Sequence, residues 1–149
     1  MMETLREVAP NLWVSDRASA AVVGEDYDLV IDCTGNGPTK GNGKTASLLP
    51  EGKTNHAWTK RQLMKIAGGV SKHLDDGDVV LIHCSRGVSR SACAAAAVLM
   101  YRGEASSVES ALAKTAWDGR KPASVTVGSL KRWWRAVLER RQGKLFKSA

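Results

Sequence analysis

The chain has 149 residues, of which 43% are hydrophobic and 25% charged, and a formal net charge of +7. That length suits one domain with its own core, without need of disulfides, and the composition is ordinary for a soluble globular protein. The longest apolar run, 92–100, is too short to span a bilayer, and residues 1–10 lack the charged start and apolar stretch of a secretory signal.

In chain order, 12–14 (LWV) is a short apolar segment with the character of an edge strand, and 29–33 (LVIDC) reads as a buried strand. A stretch rich in Gly, Asn, Pro and Lys follows from 35 to about 53; with so little apolar pattern it reads as an exposed loop. Thr59 with Gln62 has the spacing of a capping box, in which hydroxyl and amide satisfy each other's free backbone donors. The helix it opens carries Leu63, Ile66, Ala67, Val70 and Leu74 on one face, with Gly68 and Gly69 weakening it. Residues 75–78 (DDGD) form a turn, and 79–83 (VVLIH) is a continuous apolar strand of the kind that a covered sheet buries. An alanine-dense helix is predicted from Arg90 to Arg102. Ser106 with Glu109 reads as a second capping box, and its helix turns Val108, Ala111 and Leu112 inward. The last helix has Val127, Leu130, Trp134 and Val137 at helical spacing, which makes the tryptophan pair core rather than a base-stacking platform. The expected organisation is α/β: a central, mostly parallel sheet flanked by helices, with a helical C-terminal half. A single domain over 1–142 ends in a basic tail, 143–149. Between 131 and 147 lie seven basic residues and one acid, Glu139, a segment of net +6 that reads first as a solvated helix face and second as a surface for acidic partners.

Residues 83–91 read His-Cys-Ser-Arg-Gly-Val-Ser-Arg-Ser, between a buried strand and a helix. A phosphate monoester needs a ring of donors and positive charge around three oxygens. Backbone N–H groups of Ser85, Arg86, Gly87, Val88, Ser89 and Arg90 can supply that ring at a helix N-terminus, with Gly87 free to adopt a conformation closed to other residues. Arg90 can offer a bidentate fork. Cys84 sits at the floor, where such donors and cations lower a thiol pKa from about 8.5 to roughly 3.5–7.5 and make it a nucleophile toward phosphorus. Ser91 suits a donor to the departing thiolate, and His83 suits an orienting group rather than a base. Cys33 and Cys93 read as ordinary buried thiols. Three cysteines in this spacing match neither a disulfide framework nor a zinc site, so a reducing, cytoplasmic setting is expected.

The string His83-Cys84, five residues, Arg90-Ser91 resembles the signature of cysteine-based protein tyrosine phosphatases, and Gly87-Val88-Ser89-Arg90-Ser91 resembles their dual-specificity branch. Residues 8–14 are similar to that branch's opening segment, and the helices up to Trp134 fall in its order. The resemblance implies a sheet flanked by helices, neither metal nor cofactor, and hydrolysis of phosphotyrosine, phosphoserine or phosphothreonine in a protein partner through a phosphocysteine; no membrane partner is expected from the apolar runs.

Members of that family carry an aspartate on a mobile loop upstream of the cysteine, which protonates the leaving oxygen. Here 51–58 reads EGKTNHAW, without one. Glu51 and His56 are the nearby substitutes and Asp118 a remote one, and all three stand open. Phosphoanhydrides need no such acid, so an RNA 5′-triphosphatase of the same superfamily is an alternative, with RNA as partner; Ile31-Asp32-Cys33-Thr34 resembles a segment of that branch. A phosphate-binding module without turnover is another, and a redox pair of Cys84 with Cys33 requires the two to be neighbours in space. A P-loop nucleotide site at Gly43-Lys44-Thr45 is rejected, because the glycine it needs five places earlier is Pro38.

Overall fold

The computed structural model describes residues 4–33, 44–47, 58–118 and 120–148, the last five and 44–47 by their backbone course alone. In chain order the elements are β1 (Arg6–Ala9), β2 (Leu12–Asp16), α1 (Arg17–Val23), β3 (Leu29–Asp32), β4 (Lys44–Ser47), α2 (Lys60–Asp75), β5 (Val80–Cys84), α3 (Arg90–Tyr101), α4 (Val108–Thr115) and α5 (Ser124–Ser148). The sheet order is β1-β2-β5-β3-β4, antiparallel at the β1/β2 hairpin and parallel elsewhere. This is the expected mostly parallel sheet with a helical C-terminal half.

The central strand β5 is buried along its whole length. Its side chains alternate between faces, as strand geometry requires. Val80, Ile82 and Cys84 join Leu12, Val14, Leu29 and Ile31 against α2, α3, α4 and α5, while Leu81 turns to the other face with Val30, Ala20 and Tyr27. Each such side chain removed from water contributes about 1.5–3 kcal/mol. In α3, residues 92–97 are five alanines and Cys93, all fully buried. Alanine's small side chain lets this helix lie flat on β5, so the loop between them is held at both ends. The last helix buries Leu130, Trp133 and Val137, and the two tryptophan rings lie 5.7 Å apart in the core, as their spacing predicts. The α5 backbone runs through the boundary at 142 to Ser148. Among the described residues no helix is long and apolar enough to cross a membrane.

Four expectations need correction. The 12–14 segment is not an edge strand: β2 lies between β1 and β5, because the preceding residues 6–9, too mixed in character to stand out, fold back on it. The stretch read as loop contains β4, whose KTAS sequence has no apolar pattern and is held by parallel backbone pairing with β3. A short helix, α1, follows β2 where none was expected; Asp16 caps it by accepting from the Ser19 amide at 2.7 Å. The second capping box is one residue later than read: Ser107 accepts from the Ser110 amide at 3.0 Å, and the Ser110 hydroxyl accepts from the Ser107 amide at 3.2 Å. Ser107 has the extended backbone of a cap, and Glu109 instead faces Lys131 across solvent at 3.8 Å. The first box, Thr59 with Gln62, forms as expected.

Candidate active site

The parallel strands β2, β5 and β3 end side by side, and β5 delivers Cys84 as its last residue. The chain then turns through 85–89 into α3. Gly87 makes that turn possible. Its φ is +72°, and a Cβ there would sit 2.8 Å from the Ser15 carbonyl carbon and 2.9 Å from the Asp16 nitrogen. The loop is therefore pressed against the end of β2 at a point where no side chain fits.

Three further ties hold it. The Arg17 amide donates to the Ser85 carbonyl at 3.3 Å, and the Ala123 amide donates to Ser89 Oγ at 2.8 Å. With its hydroxyl so engaged, Ser89 forms no side-chain cap on α3, which leaves the first-turn amides of that helix free of one. The third tie is Arg6, half-buried at the rear. Its guanidinium donates to the carbonyls of Gly87 at 2.9 Å, Thr4 at 2.6 Å and, from two nitrogens, Thr115 at 2.7 and 3.2 Å. One side chain thus fastens β1, the end of α4 and the loop together. Burial lowers the Arg6 pKa, while attraction to a charge on Cys84 pulls it back up.

Cys84 Sγ lies 3.1 Å from Ser91 Oγ, with both residues buried. The Arg90 fork spans the mouth: Nη1 donates to the Cys33 carbonyl and Nη2 to Ser85 Oγ, each at 3.2 Å. These residues open into a cleft of about 680 Å³ lined by Cys84, Ser85, Arg86, Val88, Ser89 and Arg90, with Arg120, Lys121 and Ala123 on its far side. Gly87 and Ser91 support the loop from behind and do not line the cleft. Its described lining holds four cations and no carboxylate, a field suited to a multiply charged anion.

His83 is fully buried, with Nε2 4.0 Å from Asp32 Oδ1. Burial lowers its pKa, against the opposing pull of Asp32, so it stands neutral behind the loop. Cys33 and Cys93 are buried as expected. Burial pushes the Cys33 thiol well up, with the neighbouring Cys84 adding to the rise and Arg90 opposing it; Cys93 is pushed up to about 12 by the same causes, burial first and Cys84 second. Neither is a thiolate near neutrality. Of the proton-donor candidates, Glu51 and His56 lie outside the described residues. Asp118 is exposed in the turn after α4, with a φ of +39°, and does not line the cleft.

Sequence reading missed Arg6, Arg120 and Lys121. A lone arginine in a strand that was itself missed carries no signal. Arg120 and Lys121, ahead of Pro122, were visible only as a break in helical pattern; packing of Arg120 over the Trp117 ring, 4.7 Å from its centroid, and the Ala123–Ser89 bond bring that turn to the cleft.

The geometry has relatives. Human DUSP28 superposes with a TM-score of 0.73 at 22% identity, over 91% of this chain and 95% of that one. Tk-PTP in its active form gives 0.70 at 19%, over 94% and 99%. PTPMT1 in complex with PI(5)P gives 0.74 at 16%, over 92% and 98%. At these identities the likeness is one of fold. No curated protein sequence matches the chain. The family model described as the dual specificity phosphatase catalytic domain matches residues 16–125, from the end of β2 through the cysteine loop to the start of α5. The chain belongs to the dual-specificity phosphatase catalytic-domain family and is a cysteine-based phosphatase.

Proposed function

We propose that the chain hydrolyses phosphate monoesters, with phosphorylated tyrosine, serine or threonine of a protein as substrate, through a phosphocysteine on Cys84. The observation that carries this reading is that Cys84, its Sγ 3.1 Å from Ser91 Oγ, and Arg90 open into one and the same cleft. Arg90 exchanges its contacts with the Cys33 carbonyl and Ser85 for two phosphate oxygens. The Cys84 thiolate attacks phosphorus; the S–P bond forms as the P–O ester bond breaks, and the departing alkoxide or phenoxide takes a proton, which the water of the next step replaces as it attacks. Water then attacks phosphorus, the S–P bond breaks, and inorganic phosphate leaves as Ser91 donates to the restored thiolate. Loop amides 85–90 hold the charge that grows on the equatorial oxygens.

A second reading is supported by the cleft itself. Four cations and no carboxylate among its described lining suit a phosphoanhydride, such as an RNA 5′-triphosphate, whose leaving group needs no proton.

Cys84→Ser is expected to abolish turnover of an aryl phosphate with the melting temperature retained; persisting turnover overturns the mechanism. Arg90→Lys should lose about 10²-fold or more in kcat, because a point charge cannot replace the planar fork. The substrate class is decided by a panel of phosphotyrosine peptide, phosphoserine peptide, PI(5)P and RNA 5′-triphosphate, each with the Cys84→Ser control. Glu51→Gln, His56→Ala and Asp118→Asn are compared on aryl phosphates of graded leaving-group pKa. A variant that hurts poor leaving groups most identifies the acid; a flat response from all three, with preference for the triphosphate, selects the anhydride reading.

A further inference from the structure

A second concavity lies between α2 and α5 and shares no residue with the catalytic cleft. It encloses about 610 Å³ and is lined from one side by Lys60, Arg61, Met64 and Lys65 and from the other by Trp133, Ala136, Val137 and Arg140. The two sets are spaced by three and four, so each is one stripe of a helix. The floor is apolar: Trp133 and Val137 belong to the buried core, and Met64 packs against it. The rim is cationic, and Lys60, Arg61, Lys65 and Arg140 are all exposed. Among the described residues none of these four is paired with a carboxylate, and no acid lines the groove.

That separates them from Lys131, Arg102 and Arg141. Lys131 faces Glu109, Arg102 is held by Asp75 and Glu104, and Arg141 lies over the Trp134 ring and donates to the Tyr101 carbonyl. Arg140, next to Arg141 and on the groove side, has no such occupation among the described residues.

We infer that this groove docks an acidic peptide segment of a partner protein, one that places one or two large apolar side chains on the floor between carboxylates that meet the rim. The apolar floor requires the anchors; four like charges around it repel a basic segment, and a purely apolar one would desolvate them without pairing them. The surface is concave, which fits a peptide or short helix laid between helices better than the broad face of a bilayer. Trp133 is 1% exposed and offers no ring for base stacking, which disfavours RNA. With a net charge of +7, the whole molecule attracts such a segment from a distance. Because the groove is outside the cleft, docking selects the partner without touching the reacting phosphate.

The test uses the full chain and a short labelled peptide of Glu and Leu, read by fluorescence anisotropy. Binding is expected, weakening as salt rises, and the Arg61→Glu/Lys65→Glu double variant should raise Kd by about tenfold or more. Both residues are exposed, so the variant should melt like the parent. Ala136→Phe keeps every charge but fills the floor, and it should weaken binding comparably. Equal binding by parent and both variants, or equally tight binding of a Glu and Ser peptide, overturns the proposal. So does preferential capture by phosphatidylserine vesicles or by single-stranded RNA, which would assign the rim to a different anion.

Discussion

At the scale of single residues, the candidate cleft around Cys84 depends on groups that never face it. Gly87 is pinned against the end of β2 in a left-handed conformation that costs other residues roughly 1–2 kcal/mol before any clash. Gly87→Ala adds a Cβ 2.8 Å from backbone that cannot step aside. It is expected to lower the melting temperature and to remove most turnover together. Arg6 acts on the same residue from the other side. Arg6→Met leaves three carbonyls without their shared donor, and is expected to lower kcat/KM by about 10–10²-fold through a misplaced loop. Arg6→Lys should not restore it, since one ammonium cannot reach all three. Steady-state kinetics beside a thermal melt separate the loss of positioning from loss of fold. The three thiols should also part company. Iodoacetate at neutral pH is expected to label Cys84 and spare Cys33 and Cys93, whose protons burial retains. Inorganic phosphate should protect Cys84, which mass spectrometry of the labelled peptides reads directly.

At the scale of elements, short caps and edge pairing decide where helices and strands begin. The Ser107–Ser110 box starts α4, whose last residue supplies the Thr115 carbonyl that Arg6 holds. Ser107→Ala is expected to cost about 1 kcal/mol, and Ser106→Ala very little, because Ser106 is not the cap. Urea denaturation of the two variants distinguishes the structural cap from the one that sequence spacing suggests. The β1/β2 hairpin has a comparable role at the sheet edge: by covering β2 it makes that strand an inner one and brings Arg6 under the loop after Cys84.

At the scale of the molecule, the sheet centre carries a titratable group that cannot take up a proton cheaply. His83 is fully buried beside Asp32, and its folded pKa lies below the ordinary value near 6.5. In the unfolded chain it protonates freely. Below about pH 6.5 the unfolded state therefore binds a proton that the folded state refuses, and stability falls as pH falls toward the folded pKa; above 6.5 this contribution is level. Melting temperatures taken from pH 7.5 downward should decline, and the decline should be shallower in His83→Gln. An unchanged slope in that variant would assign the acid sensitivity to other groups. The charge of the molecule is a separate matter. It is concentrated on α5 and around the groove and the cleft, so its effects should appear as salt-dependent association rather than as fold stability.

The sequence by itself determined the parts whose physics is local. The 79–83 run had to be a buried strand, because no other place hides so many contiguous apolar side chains. The alanine run had to be a closely packed helix, and a cysteine and an arginine bracketing a glycine loop between them pointed to an anion cradle. Those three inferences carried the fold class, the Cys84–Arg90 pair and the family. Tertiary structure decided what depends on partners distant in the chain. β1 and β4 exist through backbone pairing with β2 and β3 rather than through their own side chains, so no periodicity announced them. Arg6, 81 residues before Gly87, became part of the site only when β1 folded under the loop, and Arg120 and Lys121 only when Ala123 was tied to Ser89. The cysteine, its loop and Arg90 were legible because they lie within one strand, loop and helix. The groups that brace the cradle were not, because hydrogen bonds between distant backbone carbonyls and a side chain leave no pattern in sequence.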